Sequence, residues 1–141
     1  MKILVPVDGS AFSLKAVEAA CTLALSQPPS EVLLLAVVPD LLDLGSEGHY
    51  VADKLKRQAE GALTLAKAQA QEKGVTPKSL LATGPSVPEE IVDAALKEKA
   101  DLVVIGSRGL GAKTRSFLGS TASKVVTYAP CSVWVVKTMQ D

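Results

Sequence analysis

The chain has 141 residues, 48% of them apolar, and its fifteen Lys and Arg balance fifteen Asp and Glu. That length and apolar content fit one domain, 1–141, with a substantial core, and zero net charge excludes a global field drawing it to nucleic acid or an anionic membrane. Cys21 and Cys131 are too few for a disulfide framework or zinc cluster, no apolar run nears the ~20 residues of a membrane span, and no signal-peptide pattern opens the chain, so a cytoplasmic setting is expected.

In chain order, Ile3 to Val7 is the first apolar run and the first predicted strand. Leu14, Val17, Cys21, Ala24 and Leu25 then recur at helical spacing behind Ser10 and Ser13, either of which can cap the start. Val32 to Val38 is the second strand. Pro39 to Gly48, reading PDLLDLGSEG, is the most loop-like segment, and His49 is expected in a loop as a surface residue. Val51, Leu55, Ala59, Ala62, Leu63, Ala66 and Ala70 mark a long second helix with a charged opposite face, stopped at Gly74.

Ser79 to Thr83 is a weaker strand candidate. Ser86 and Glu89 have the spacing of a capping box, Pro88 suits the first turn, and Ile91, Ala94, Ala95 and Leu96 follow on one side of a third helix. Leu102 to Ile105 is the next strand. A fourth helix runs from about Gly119 to Ala129, ended by Pro130, and Val133 to Val136 is the last strand. The strands read as near-continuous Val, Ile and Leu, the pattern of strands buried on both faces of a parallel sheet. Strand and helix alternate throughout. A doubly wound open α/β sheet of five mainly parallel strands is expected, with helices on both faces.

Ligands of such sheets bind outside the carboxyl ends of the strands, near the point where strand order reverses. The richest segment there is VVIGSRGLGAKTRSFLGSTASKVV, with glycines at 106, 109, 111 and 119. Glycine permits positive φ and close backbone approach, and Ser120 and Thr121 would stand at a helix N-terminus, which favours phosphate. No acidic residue falls between Asp101 and Asp141, while Arg108, Lys113, Arg115, Lys124 and Lys137 do. The alternative is a long turn with solvated surface charges. A Walker A loop is excluded because Ala112 stands between Gly111 and Lys113, and the first turn, Asp8-Gly9-Ser10, is not a dinucleotide fingerprint.

Gly106, Gly109, Gly119 and Ser120 do meet the spacing Gly, two residues, Gly, nine residues, Gly, Ser or Thr. In this the chain resembles the universal stress proteins, as it does in ILVPVDGS with Ser13 and Ala16, in Gly84-Pro85 before Ile91 and Ala94, in DLVVIGSRG, and in the ending APCSVWVV. Ser132, where the family commonly has proline, departs from the pattern. The resemblance implies the nucleotide hydrolase-like strand order 3-2-1-4-5 and ATP as ligand. It places adenine at Pro6, Val7, Asp8 and Val37. Ribose and phosphates fall to Gly106, Arg108, Gly109, Gly119, Ser120 and Thr121, with Asp8 helping to hold Mg2+. For Asp8 an Asx turn or helix cap is the structural alternative, and for Val37 it is core packing.

The resemblance implies a regulatory or sensor module of stress response acting as a homodimer. A slow ATPase or ATP-dependent transferase using Arg108, Lys113 and Arg115 is the competing reading, and a structural member without nucleotide is a third. No acid–base carboxylate pair, nucleophile setting or general base stands out, and Cys21 reads as a buried thiol. The last strand, Ser132 to Lys137, is expected at a sheet edge, bare of charge or proline as far as Val136. Pairing with a second copy would satisfy that edge and bury Trp134; the alternative is that a loop or the tail Thr138 to Asp141 covers it.

Overall fold

A computed structural model describes residues 1–40, 45–109 and 118–137 of the chain. Its elements are β1 (Lys2–Pro6), α1 (Ala11–Ser26), β2 (Glu31–Pro39), α2 (Gly45–Glu72), β3 (Lys78–Gly84), α3 (Val87–Lys97), β4 (Leu102–Gly106), α4 (Ser120–Tyr128) and β5 (Ser132–Val136). The strands form one sheet in the order β3-β2-β1-β4-β5, and every pairing is parallel. The expected fold class and strand order are thereby established.

Local signals explain the helix ends. Both Ser10 and Ser13 could have opened α1; Ser10 is the cap, its Oγ accepting the Ser13 N–H at 3.2 Å. Ser86 Oγ likewise accepts the Glu89 N–H at 3.4 Å, Glu89 and Glu90 lie in the first turn of α3, and Lys97 lies in its last, all matching the helix dipole. Gly74 adopts φ +91°, with Gly74 N–H on Gln71 O and Val75 N–H on Ala70 O. That is a Schellman stop, which a Cβ would strain.

Side chains alternate along each strand, so the sheet carries two cores. Ile3, Val5 and Leu34 pack with α1 and α2 through Val17, Cys21, Ala62 and Ala66. Leu4, Leu33, Leu35 and Val103 pack with α3 and α4 through Ile91, Ala95 and Val125. Helices α1 and α2 therefore cover one face, α3 and α4 the other.

Three expectations need correction. The segment from Pro39 to Gly48 is not a loop throughout, because Pro39 closes β2 and α2 begins at Gly45; residues 41–44 lie outside the described ones. Glycine opposes helix by only about 1 kcal/mol, and a strong helix propagates through such positions once nucleated downstream. His49 is accordingly helical. Leu25 and Leu96 are 54% and 65% exposed, since the buried stripes of α1 and α3 end at Ala24 and Ala95, one position and about 100° earlier around each helix.

Candidate functional site

At the carboxyl end of β1 the chain must leave the sheet for α1. Val7 N–H makes the last bond to β2, on Leu35 O at 2.8 Å. Gly9 then takes φ +87°, a conformation glycine adopts without strain. Asp8 Oδ1 accepts the Ser10 N–H at 2.9 Å, so the Asx turn left open by the sequence is present. Behind it, the buried Ser13 Oγ accepts the Asp8 N–H at 3.3 Å and donates to Ser10 O at 3.1 Å. Ser13, an unused cap candidate, is thus the residue that holds Asp8. Its spacing in DGSxxS is the signal that could have marked it.

The glycines of the fourth turn serve closeness. Among the glycines described, positive φ occurs at Gly9 and Gly74 and at none of Gly106, Gly109 or Gly119, so of the two things glycine permits there the structure uses close approach and not left-handed backbone. A Cβ on Gly106 would lie 2.7 Å from Phe12 O, so the first turn of α1 rests directly on the end of β4. A Cβ on Gly109 would lie 2.6 Å from Asp8 Oδ2, which brings the first and fourth turns into contact. Gly119 N–H donates to Ser107 O at 2.8 Å and Ser107 N–H to Val136 O at 3.0 Å, closing the loop against β5. Gly111, Lys113 and Arg115 lie outside the described residues.

Gly119 is also the N-cap of α4, where it offers no side chain and the cap makes no side-chain bond. The first intrahelical donation there is Ser123 N–H to Gly119 O, so the amides of Ser120, Thr121 and Ala122 precede it at the positive end of the helix. Across the sheet, the β1 ladder stops at Leu35 while β2 continues along β3 to Pro39. Leu35 O faces β1 and backbone direction alternates along a strand, so the N–H and C=O of Val37 face the same way, beyond the end of β1. Val37 is half-buried against the α3/α4 core, so it combines packing with an open backbone pair.

These features share one cleft of about 720 Å³ at the point where the strand order reverses about β1. Pro6, Val7, Asp8 and Val37 line it, as do Gly106, Arg108, Gly109, Gly119, Ser120 and Thr121, the ten residues to which the resemblance gave adenine, ribose and phosphates. Sequence reasoning missed the walls: Leu55, Gln58 and Ala59 of α2 on one side, Val87 and Ile91 of α3 on the other. They carry only helical periodicity, which marks a face and not its neighbour. Asp8 is the only acidic residue and Arg108 the only basic one lining the cleft among the described residues. The two thiols stand apart from it, each raised above the usual cysteine range chiefly by burial, so both stay protonated.

Fold and cleft together define a doubly wound α/β protein with its cleft at the switch point of a 3-2-1-4-5 sheet. Residues 1–137 match the model of the universal stress protein family, and the chain belongs to that family. It is 38% identical to universal stress protein MJ0531 of Methanocaldococcus jannaschii, over 96% of this chain and 81% of that one. Among solved structures it resembles the protein MJ0577, with TM-score 0.85 and 27% identity over 99% of this chain and 97% of that one. A universal stress protein solved in complex with cAMP shares the fold, with TM-score 0.74 and 22% identity over 96% of each chain. No helix among the described residues is long and apolar enough to cross a membrane.

Proposed function

We propose that the chain is a regulatory module of stress response that binds ATP with Mg2+ in the switch-point cleft and acts as a homodimer joined through β5. The observation that carries the reading is the pairing, in one cleft, of an open backbone donor and acceptor at Val37 with the uncapped N-terminus of α4. A purine needs the first and a phosphate the second. Adenine offers an acceptor nitrogen beside an amino donor, which complements one N–H and one C=O. The triphosphate complements the amides of Ser120 to Ala122 and the guanidinium of Arg108. The cleft volume of about 720 Å³ lies in the usual range for small-molecule sites, roughly 300–1,000 Å³. A fold relative that carries cAMP agrees with a nucleotide as ligand.

Mg2+ fits the residues present only as a shared ion. No cluster of three or more His, Cys, Asp and Glu occurs among the described residues, and Asp8 is the acid at the site. Magnesium is commonly held by one or two carboxylates together with phosphates and water, so Asp8 would supply one ligand and the nucleotide the rest. The direct test is to purify the protein from cells, denature it and identify the nucleotide released. ATP is expected. Recovery of none, together with no heat of binding on titration with ATP and Mg2+, overturns the proposal.

Turnover is expected to be far below the median enzyme rate of roughly 10 per second. The only titratable base lining the cleft among the described residues is Asp8, already engaged by the Ser10 N–H. Steady-state phosphate release measures this. A rate near that median, lost on mutation of the glycine loop, would move the assignment to an ATPase.

A further inference from the structure

The nucleotide proposed above, on which this inference rests, would meet one polar wall residue whose role is still open: Gln58 of α2. Gln58 is exposed, and among the described residues its amide has no hydrogen-bond partner. Its direction follows from α2. Ala62, one turn further along, lies 3.8 Å from the Cβ that Gly9 would carry, and Lys73, three turns beyond Ala62 on the same face, pairs with Glu18 of α1 at 3.7 Å. That face therefore looks toward β1 and α1, whereas Leu55 and Ala59 turn to the core shared with β2. Because α2 returns from the carboxyl end of β2 to the start of the parallel strand β3, residues before Ala62 stand further out than the Gly9 turn. Gln58 thus overhangs the gap between the end of β1 and the start of α1.

The base contacts decide what lies in that gap. Backbone groups of a strand bond in the plane of the sheet, and the donor and acceptor of adenine lie in its ring plane. A base on the N–H and C=O of Val37 therefore continues the sheet beyond the end of β1, with its faces turned to Leu55 and Ala59 on one side and to Val87 and Ile91 on the other. The sugar leaves the far edge of the base, away from β2 and over the ends of β1 and β4. The amides of Ser120 to Ala122, and with them the phosphates, lie on the α3/α4 side. In a ribonucleotide the base and C5′ leave one face of the sugar ring and the two hydroxyls the other. With C5′ drawn toward α4, the hydroxyls turn toward α1 and α2. Among the described residues the polar side chains lining that side are Asp8, Ser13 and Gln58. The Ser13 hydroxyl already accepts the Asp8 N–H and donates to Ser10 O, and Asp8 Oδ1 accepts the Ser10 N–H. Gln58 offers a donor and an acceptor side by side, which complement two neighbouring hydroxyls. We propose that Gln58 is a specificity-determining residue that holds the 2′ and 3′ hydroxyls of the bound nucleotide, so that the cleft selects ribonucleotides over deoxynucleotides.

Isothermal calorimetry with Mg2+ and ATP, 2′-deoxy-ATP or 3′-deoxy-ATP reads the selection. The unmodified protein is expected to bind each deoxy form roughly fivefold more weakly than ATP, the worth of one ordinary hydrogen bond. Gln58→Leu puts a good helix former at an exposed helical position, so the fold is kept. In that variant ATP is expected to fall to the level of the deoxy forms, and all three ligands to bind alike. Deoxy forms bound as tightly as ATP by the unmodified protein overturn the inference and leave the nucleotide reading standing. A Gln58→Leu variant that still prefers ATP does the same, and an equal weakening of all three ligands there marks a contact to the base instead. Binding of none of the three to the unmodified protein overturns the nucleotide reading, and this inference with it.

Discussion

Gly106→Val is expected to lower the stability of the fold by about 3 kcal/mol, at the upper end of what overpacking usually costs. The reason is a main-chain obstacle. A Cβ at this position would lie 2.7 Å from Phe12 O and 2.8 Å from Phe12 C, and both belong to the first turn of α1. A flexible side chain could swing away, but this turn is held by the Ser10 cap and by the buried Ser13 hydroxyl. Relief requires moving α1 off the end of β4, and Val17, Cys21 and Val104 of the shared core move with it. Urea denaturation followed by circular dichroism reads the effect. An unchanged midpoint would show that β4 and α1 do not meet as described. Gly106 thus belongs to the glycine pattern for a packing reason, and its variants report on folding before they report on any ligand.

Gly109→Val and Gly119→Val are expected to weaken ATP binding at least tenfold, about 1.4 kcal/mol, and to leave a folded protein. Gly109 would place its Cβ 2.6 Å from Asp8 Oδ2, a side-chain atom that can shift, so the fold tolerates the change. The cost falls on the proposed ligand, because the Asp8 carboxylate is pushed from the position that would meet the metal. Gly119 would place its Cβ 3.3 Å from Arg108 Cα and Ser107 O, and a valine there adds bulk beside the amides of Ser120 to Ala122. Isothermal calorimetry with ATP and Mg2+ decides the matter. Wild-type affinity in both variants would remove the loop from the site.

Much of this molecule was legible without coordinates. The near-continuous Val, Ile and Leu runs announced strands buried on both faces, and β1 and β4 are so buried that Ile3, Leu4, Val5, Val103 and Val104 are fully enclosed. Ser86 with Glu89, and Gly74 at the end of α2, are signals written within a few residues, and their hydrogen bonds lie where those signals put them. The basis was weaker at Gly45 to Gly48, where glycine spoke for a loop and the helix runs through. Leu96 shows the same limit. A stripe of apolar residues predicts a buried face to within about one position, and one position is 100° around a helix.

What the sequence determined by itself was therefore local: periodicity, caps, stops, and the spaced glycines with the Asp8 turn. What only the tertiary structure decided was who meets whom. Strand order brings the ends of β1, β2 and β4 to one cleft, although Asp8 and Gly109 are about a hundred residues apart and touch. It adds Leu55, Gln58, Val87 and Ile91 as walls, and assigns Gly106 to Phe12. It also turns Val37 toward the gap beyond β1. The physical reason is that a cap or a turn is settled by bonds between residues a few positions apart. The cleft arises where crossovers place one strand beside another and leave the next backbone group without a neighbour.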